Sequence, residues 1–209
     1  MSNIKKEDLD IITTMHLTAF KNHVNVKLGN RYIKSFLNWF IDNPKTIHFV
    51  AKGENNEIFG YVVGAPWGYQ KKINKDLLLI GLLSIIVRPW VIFDNRILNS
   101  LVTRFNVVSG ISKHIHDTQI ELKGLIVSLV GIAVIDFAKG TGVASSLISS
   151  FEINAKELGY DVMRLSVYNK NLSARKFYEK EGWKIIPNTA SKNICGYFKC
   201  LENKMEFPQ

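Results

Sequence analysis

Cysteine is scarce in this chain: 209 residues contain two, Cys195 and Cys200, five positions apart. Two so placed exclude a disulfide framework and fit a reducing compartment, so a cytoplasmic location is expected. No apolar run reaches the roughly 20 residues of a bilayer-spanning helix; "LLLIGLLSIIV", residues 77–87, stops at eleven. The opening "MSNIKKEDLDIITTMH" carries charges throughout and has no contiguous apolar stretch, which argues against a cleaved secretory signal. Internal repeats, low-complexity tracts and a Pro/Gly/Ser-rich linker are also missing, so residues 1–209 read as one domain.

What is present is a globular composition, 46% hydrophobic and 22% charged, with a net charge of +9. Basic residues cluster only as the pairs Lys5-Lys6 and Lys71-Lys72, and no arginine-rich helix or aromatic-interleaved basic run exists. Nucleic acid is therefore not an expected partner. A composition rich in Lys, Asn and Ile accounts for much of the charge, and a small polyanionic ligand is the next account of it.

Apolar spacing predicts helices over residues 6–20 and 31–40, the second closed by Pro44. Residues 47–52 and 58–64 alternate as two strands around the polar turn Glu54-Asn55-Asn56 and predict a hairpin. "LIVSLVGIAV", residues 125–134, is continuous and β-rich and predicts a central strand. A helical stripe then runs from Val143 to Leu158 with Gly159 at its C-terminal end, followed by a strand at 161–167, a helix at 171–180 and strands from Trp183 and in the tail. The C-terminal half thus reads β-α-β-α-β-β.

Between these halves lies an insertion at residues 67–124, expected to be largely helical. Its apolar run 77–87 reads as a buried helix or as a lid over a site or an interface. Flanking Lys71, Lys72, Lys75, Arg88 and Trp90 support a second reading, an interfacial membrane contact through residues 77–93.

The turn in "DFAKGTGVASSL", residues 136–147, raises three phosphate-binding alternatives. A Walker loop needs Lys and Ser/Thr after its last glycine, whereas Gly142 is followed by Val143 and Ala144, so that reading fails. A dinucleotide fingerprint needs an acid at the end of the next strand, but Asp161 opens that strand instead. The third alternative joins Lys139-Gly140-Thr141-Gly142-Val143-Ala144 to the downstream "NLSARKFYEKEGW", residues 171–183.

Together these residues resemble the GNAT superfamily of acyl-CoA N-acyltransferases. The loop matches at Lys139, Gly142 and Ala144, with lysine in place of the usual Gln or Arg. The second signature matches at Asn171, Ala174, Phe177, Tyr178, Glu179, Gly182 and Trp183. The resemblance is strong over residues 125–207 and weak over 1–65. It implies an α/β fold with a mixed central sheet flanked by helices, and acetyl-CoA as co-substrate.

On that resemblance, amides around Gly140, Gly142, Val143 and Ala144 would take the pyrophosphate, since a helix N-terminus offers unpaired N–H groups and a positive dipole end. Backbone groups near Ile132 and Val134 would take the pantetheine arm, and an amide near Ile132 the oxyanion. Asn171 would bond the same arm, and Arg175 or Lys176 the adenosine phosphate. Tyr178 would protonate the leaving thiolate. Phe177 and Trp183 are assigned to the core.

The base is less apparent, because residues 125–134 contain no carboxylate. His116 and Glu121, acting through water, are the candidates, beside His114, Asp117 and Asp136. Two histidines at 114 and 116 without a further ligand do not make a metal site, so no metal is expected. The expected activity is acetyl transfer to a primary amine of a small molecule, such as a nucleotide-linked amino sugar. A protein or peptide amine, membrane-associated acyl transfer and acyl-CoA binding without turnover are the alternatives. A homodimer is compatible with the sequence.

Overall fold

The structure, a computed structural model, describes residues 1–93, 124–187 and 193–201. The strands are β1 (Ser2–Asn3), β2 (Ile47–Lys52), β3 (Ile58–Pro66), β4 (Ile126–Val134), β5 (Val162–Tyr168), β6 (Lys184–Ile185) and β7 (Ile194–Cys200). The helices are α1 (Leu9–Ala19), α2 (Asn30–Asp42), α3 (Tyr69–Asp76), α4 (Leu78–Val87), α5 (Val143–Glu157) and α6 (Leu172–Lys180). The strands form one sheet in the order β1-β2-β3-β4-β5-β7-β6.

Every neighbouring pair is antiparallel except β4 and β5. A parallel pair needs a crossover between its strands, and α5 supplies it. As an inner strand with both faces covered, β4 carries the continuous apolar run that the sequence displays.

Two cores lie on opposite faces. On one, α1 and α2 set Ile12, Ile33, Leu37 and Phe40 against Val50, Tyr61 and Val63 of the sheet. On the other, α5 and α6 set Leu147, Ile148, Phe151 and Tyr178 against Val62, Val127, Met163 and Leu165. Each fully buried Leu, Ile or Phe contributes about 1.5–3 kcal/mol, so these two layers outweigh local helix propensity. Gly64 of β3 makes room for α5, because a Cβ there would fall 2.3 Å from the Phe151 ring.

The expected elements are present with shifted ends. The first helix opens as a 3-10 turn at Lys6–Asp8, where Asp8 accepts the Lys5 amide at 2.9 Å. The strand expected from Trp183 begins at Lys184, and the two-residue edge strand β1 was not anticipated. Within the insertion, residues 69–76 and 78–87 are helical, followed by a 3-10 turn at Pro89–Phe93. The buried helix expected at 77–87 is corrected by α4, which buries Gly81 and Ser84 and exposes most of its large apolar side chains. A chain that is apolar on every side has no periodicity to say which face packs.

Candidate active site

The sheet opens between its two parallel strands. Pairing of β4 with β5 covers only Ile126, Val127 and Ser128 against Val162, Met163 and Arg164. Beyond Ser128, β4 stays paired with β3 to Val134, and β5 stays paired with β7 to Tyr168. A bulge in the β3–β4 ladder falls between Val63 and Gly64 and leaves Val130 without a register partner. Bulges bend and over-twist a strand, and this one sits two residues past the last β4–β5 rung, where the strands part.

The Ile135 amide bonds to the Phe59 carbonyl at 2.9 Å. Alternation along an antiparallel pair then turns the amides and carbonyls of Ala133 toward β3, and those of Ile132 and Val134 toward the opening. The inner edge of β4 therefore offers two residues' worth of unpaired backbone groups.

At the end of that edge a 3-10 turn, Asp136–Ala138, leads into the glycine turn and α5. Gly140 and Gly142 have φ of 80° and 91°, the left-handed region that glycine enters without strain. A Cβ at either would meet nothing within 4 Å, so both face open space. Among the described residues the amides of Gly142, Val143, Ala144 and Ser145 have no hydrogen-bond partner; the first α5 amide to find one is Ser146, bonded to the Gly142 carbonyl at 3.0 Å. This is the arrangement of a helix N-terminus ready for an anion. Lys139 is exposed here and ion-paired with Asp136, whose carboxyl it holds below the ordinary carboxylate range. Asp136 is thereby engaged beside the turn.

Helix α6 brings the second signature to the other side of the opening. Asn171 is its N-cap, its Oδ1 accepting the Ala174 amide at 3.1 Å. Its side-chain amide nitrogen has no hydrogen-bond partner among the described residues. Arg175 donates from Nε to the Tyr197 hydroxyl at 3.1 Å, and that hydroxyl donates to Glu179 at 2.7 Å. Tyr178 is buried in the α5–α6 core, its ring 5.7 Å from Trp183 and 6.3 Å from Tyr197. Its hydroxyl has no hydrogen-bond partner among the described residues, and burial raises its pKa well above the ordinary phenol value. Trp183 is buried and Phe177 packs against the same core, as expected.

The candidate bases His116 and Glu121, with His114 and Asp117, lie outside the described residues. Among the described residues no group of three or more His, Cys, Asp or Glu converges on one point. One polar pair was not legible in the sequence: His16 of α1 and Tyr61 of β3 share a hydrogen bond of 2.5 Å in the α1–α2 core. Burial, with a smaller contribution from His23, lowers the His16 pKa to about 4. The two are 45 positions apart, and only the packing of α1 on the sheet joins them.

The chain is an α/β layer with a split parallel pair and a helix N-terminus suited to an anion. The profile of the Acetyltransferase (GNAT) family matches residues 12–183, and the chain belongs to that family. The family uses acetyl-CoA as co-substrate. No curated protein matches the sequence.

Solved structures share the fold. An N-acetyltransferase from Staphylococcus aureus Mu50 is 18% identical with a TM-score of 0.58, over 96% of this chain and 97% of its own. A ribosomal-protein-alanine N-acetyltransferase from Brucella melitensis is 12% identical with a TM-score of 0.57, over 95% and 98%. A variant of the spermidine N-acetyltransferase from Vibrio cholerae is 13% identical with a TM-score of 0.54, over 95% and 91%.

Proposed function

We propose that this chain transfers the acetyl group of acetyl-CoA to a primary amine of a small molecule by direct attack. The observation that carries the reading is the β4–β5 opening, which ends at the unpartnered amides of the α5 turn. Acetyl-CoA supplies an activated thioester carbonyl. The amides around Gly140, Gly142, Val143 and Ala144 hold its pyrophosphate. Ile132 and Val134 hydrogen-bond its amide-bearing arm through their backbone groups, as a strand would, and Asn171 adds its free Nδ2. Lys139 and Arg175 supply positive charge near the phosphates.

The amine nitrogen bonds to the carbonyl carbon as the carbon–sulfur bond breaks. Tyr178 gives its proton to the departing sulfur, which its raised pKa permits because the phenol stays protonated at neutral pH. The Ile132 amide, pointing into the opening, donates to the carbonyl oxygen. The proton lost by the amine is assigned to His116 or Glu121 through water. A net charge of +9 favours a nucleotide-linked amino sugar as the acceptor.

The test is release of free thiol from acetyl-CoA against a panel of small amines, nucleotide amino sugars and peptides. Amine-dependent release with one acetyl group gained by a nucleotide sugar is the expected result. Release only with peptides would move the acceptor to a protein amine. Tight binding of acetyl-CoA without release by any amine would make the chain a binding module.

A further inference from the structure

Helix α4 has the reverse of the usual surface-helix pattern. Its smallest residues face the protein: Gly81 lies against Tyr32, where a Cβ would sit 3.6 Å from the ring, and Ser84 turns its hydroxyl back to the Ile80 carbonyl at 2.7 Å. Of its large apolar residues, Ile80 and Ile85 pack partly against the core and the others face outward. Leu79, Leu82, Leu83, Ile86 and Val87 are exposed, followed by Trp90, with Leu79 at 70%, Ile86 at 73% and Trp90 at 65%. Spacings of three and four make the five α4 positions one stripe, with Trp90 in the 3-10 turn just beyond it, and a surface helix ordinarily turns such a stripe inward.

Helix α3, just before α4, has a different chemistry. Leu77 alone separates the two helices; its amide bonds to the Ile73 carbonyl and its carbonyl accepts the Gly81 amide, both at 2.9 Å. Counting back from Leu79 at the helical period, Lys75, Lys72 and Lys71 stand four, seven and eight positions earlier. All three are exposed and none is ion-paired among the described residues; the Lys72 ammonium lies 6.0 Å from the centre of the Trp39 ring, a distance that leaves its charge open to solvent. The buried positions are Ile73 in α3, Leu77 between the helices, and Gly81 and Ser84 in α4. The exposed side chains of this segment are thus cations in α3, aliphatic residues in α4 and an indole in the 3-10 turn after it. Lysines suit anionic headgroups, aliphatic residues suit acyl chains, and tryptophan suits the boundary between them.

The ten residues of α4 measure about 15 Å, half the thickness of a hydrocarbon core. No described helix is long and apolar enough to cross a membrane. The face can therefore lie on a bilayer without spanning it. A second copy of the chain is a poorer occupant, because each copy carries +9 and a symmetric contact would bring both lysine clusters toward the same interface.

We propose that the α3–α4 face docks on an anionic lipid surface, with the exposed apolar residues from Leu79 to Trp90 among the acyl chains and Lys71, Lys72 and Lys75 at the headgroups. The proposal stands apart from the acyl-transfer reading, since its readout is binding. The experiment is co-sedimentation of the full chain with vesicles of phosphatidylserine and phosphatidylcholine, beside vesicles of phosphatidylcholine alone. Sedimentation with the anionic vesicles, weakened by added salt, is expected. Lys72→Ala and Lys75→Ala should each weaken it about fivefold at low salt. Ile86→Asp should abolish it with an unchanged circular dichroism spectrum; should that variant fail to fold, Lys72→Glu with Lys75→Glu tests the same face at exposed positions. Absence of sedimentation with anionic vesicles overturns the proposal. So does a stable dimer in the ultracentrifuge that Ile86→Asp dissociates while vesicle binding is unaffected, because the occupant is then a second copy.

Discussion

At the scale of single residues, two buried side chains make opposite uses of desolvation. Burial keeps the Tyr178 phenol protonated, which suits a proton donor. Tyr178→Phe should lower kcat by about 10²- to 10⁴-fold and leave acetyl-CoA affinity within about twofold; steady-state kinetics and calorimetry together check both, and an unchanged kcat removes the assignment. Burial keeps His16 neutral instead. Its folded pKa of about 4 lies below the 6.5 of an unfolded histidine, so the contribution is present above 6.5 and is lost as pH falls toward 4. Denaturant unfolding should show a loss of roughly 2 kcal/mol between pH 7 and pH 5 from this group, and His16→Gln should flatten that decline. The two also differ in legibility. Tyr178 could be read because its neighbours in sequence, from Asn171 to Trp183, form a pattern. His16 could not, because its partner Tyr61 belongs to another element.

At the scale of elements, the α5 turn separates what glycine does for the chain from what it does for a ligand. Asparagine tolerates the left-handed conformation better than other side-chain-bearing residues. Gly142→Asn should therefore fold with a Tm within a few degrees of the parent, yet fill the open space that a phosphate needs and weaken acetyl-CoA binding by tenfold or more. Retained affinity in a titration would sink the turn assignment. Most elements were legible because amphipathic periods, Gly and Pro mark them locally: β2, β3, β4, α5 and α6 fall within a few residues of their expected ends. The orientation of α4 was not, since a uniformly apolar run carries no period. Only the small size of Gly81 and Ser84, which lets the helix approach Tyr32 closely, hints at the side that packs.

At the scale of the whole molecule, β1–β4 and β5–β7 meet along three rungs, so a ligand in the opening would brace two halves of one sheet. Acetyl-CoA at a hundredfold excess over its Kd should add about 2.7 kcal/mol, a rise in Tm of roughly 5–10 °C for a chain of this length. A thermal scan with and without acetyl-CoA checks it, and an unmoved Tm counts against the donor site. The family signature and the β-α-β-α-β-β order made the fold legible, while the use of backbone groups near Ile132 and Val134 was expected only by resemblance, with no residue in the sequence to mark the opening that bares them. The cause lies in a bulge at Val130, which no side chain announces. A recess lined by main-chain amides and carbonyls tolerates replacement of nearly every side chain along it. The chemistry of such a recess resides in atoms common to all amino acids, so sequence can drift along it while its hydrogen-bonding edge persists.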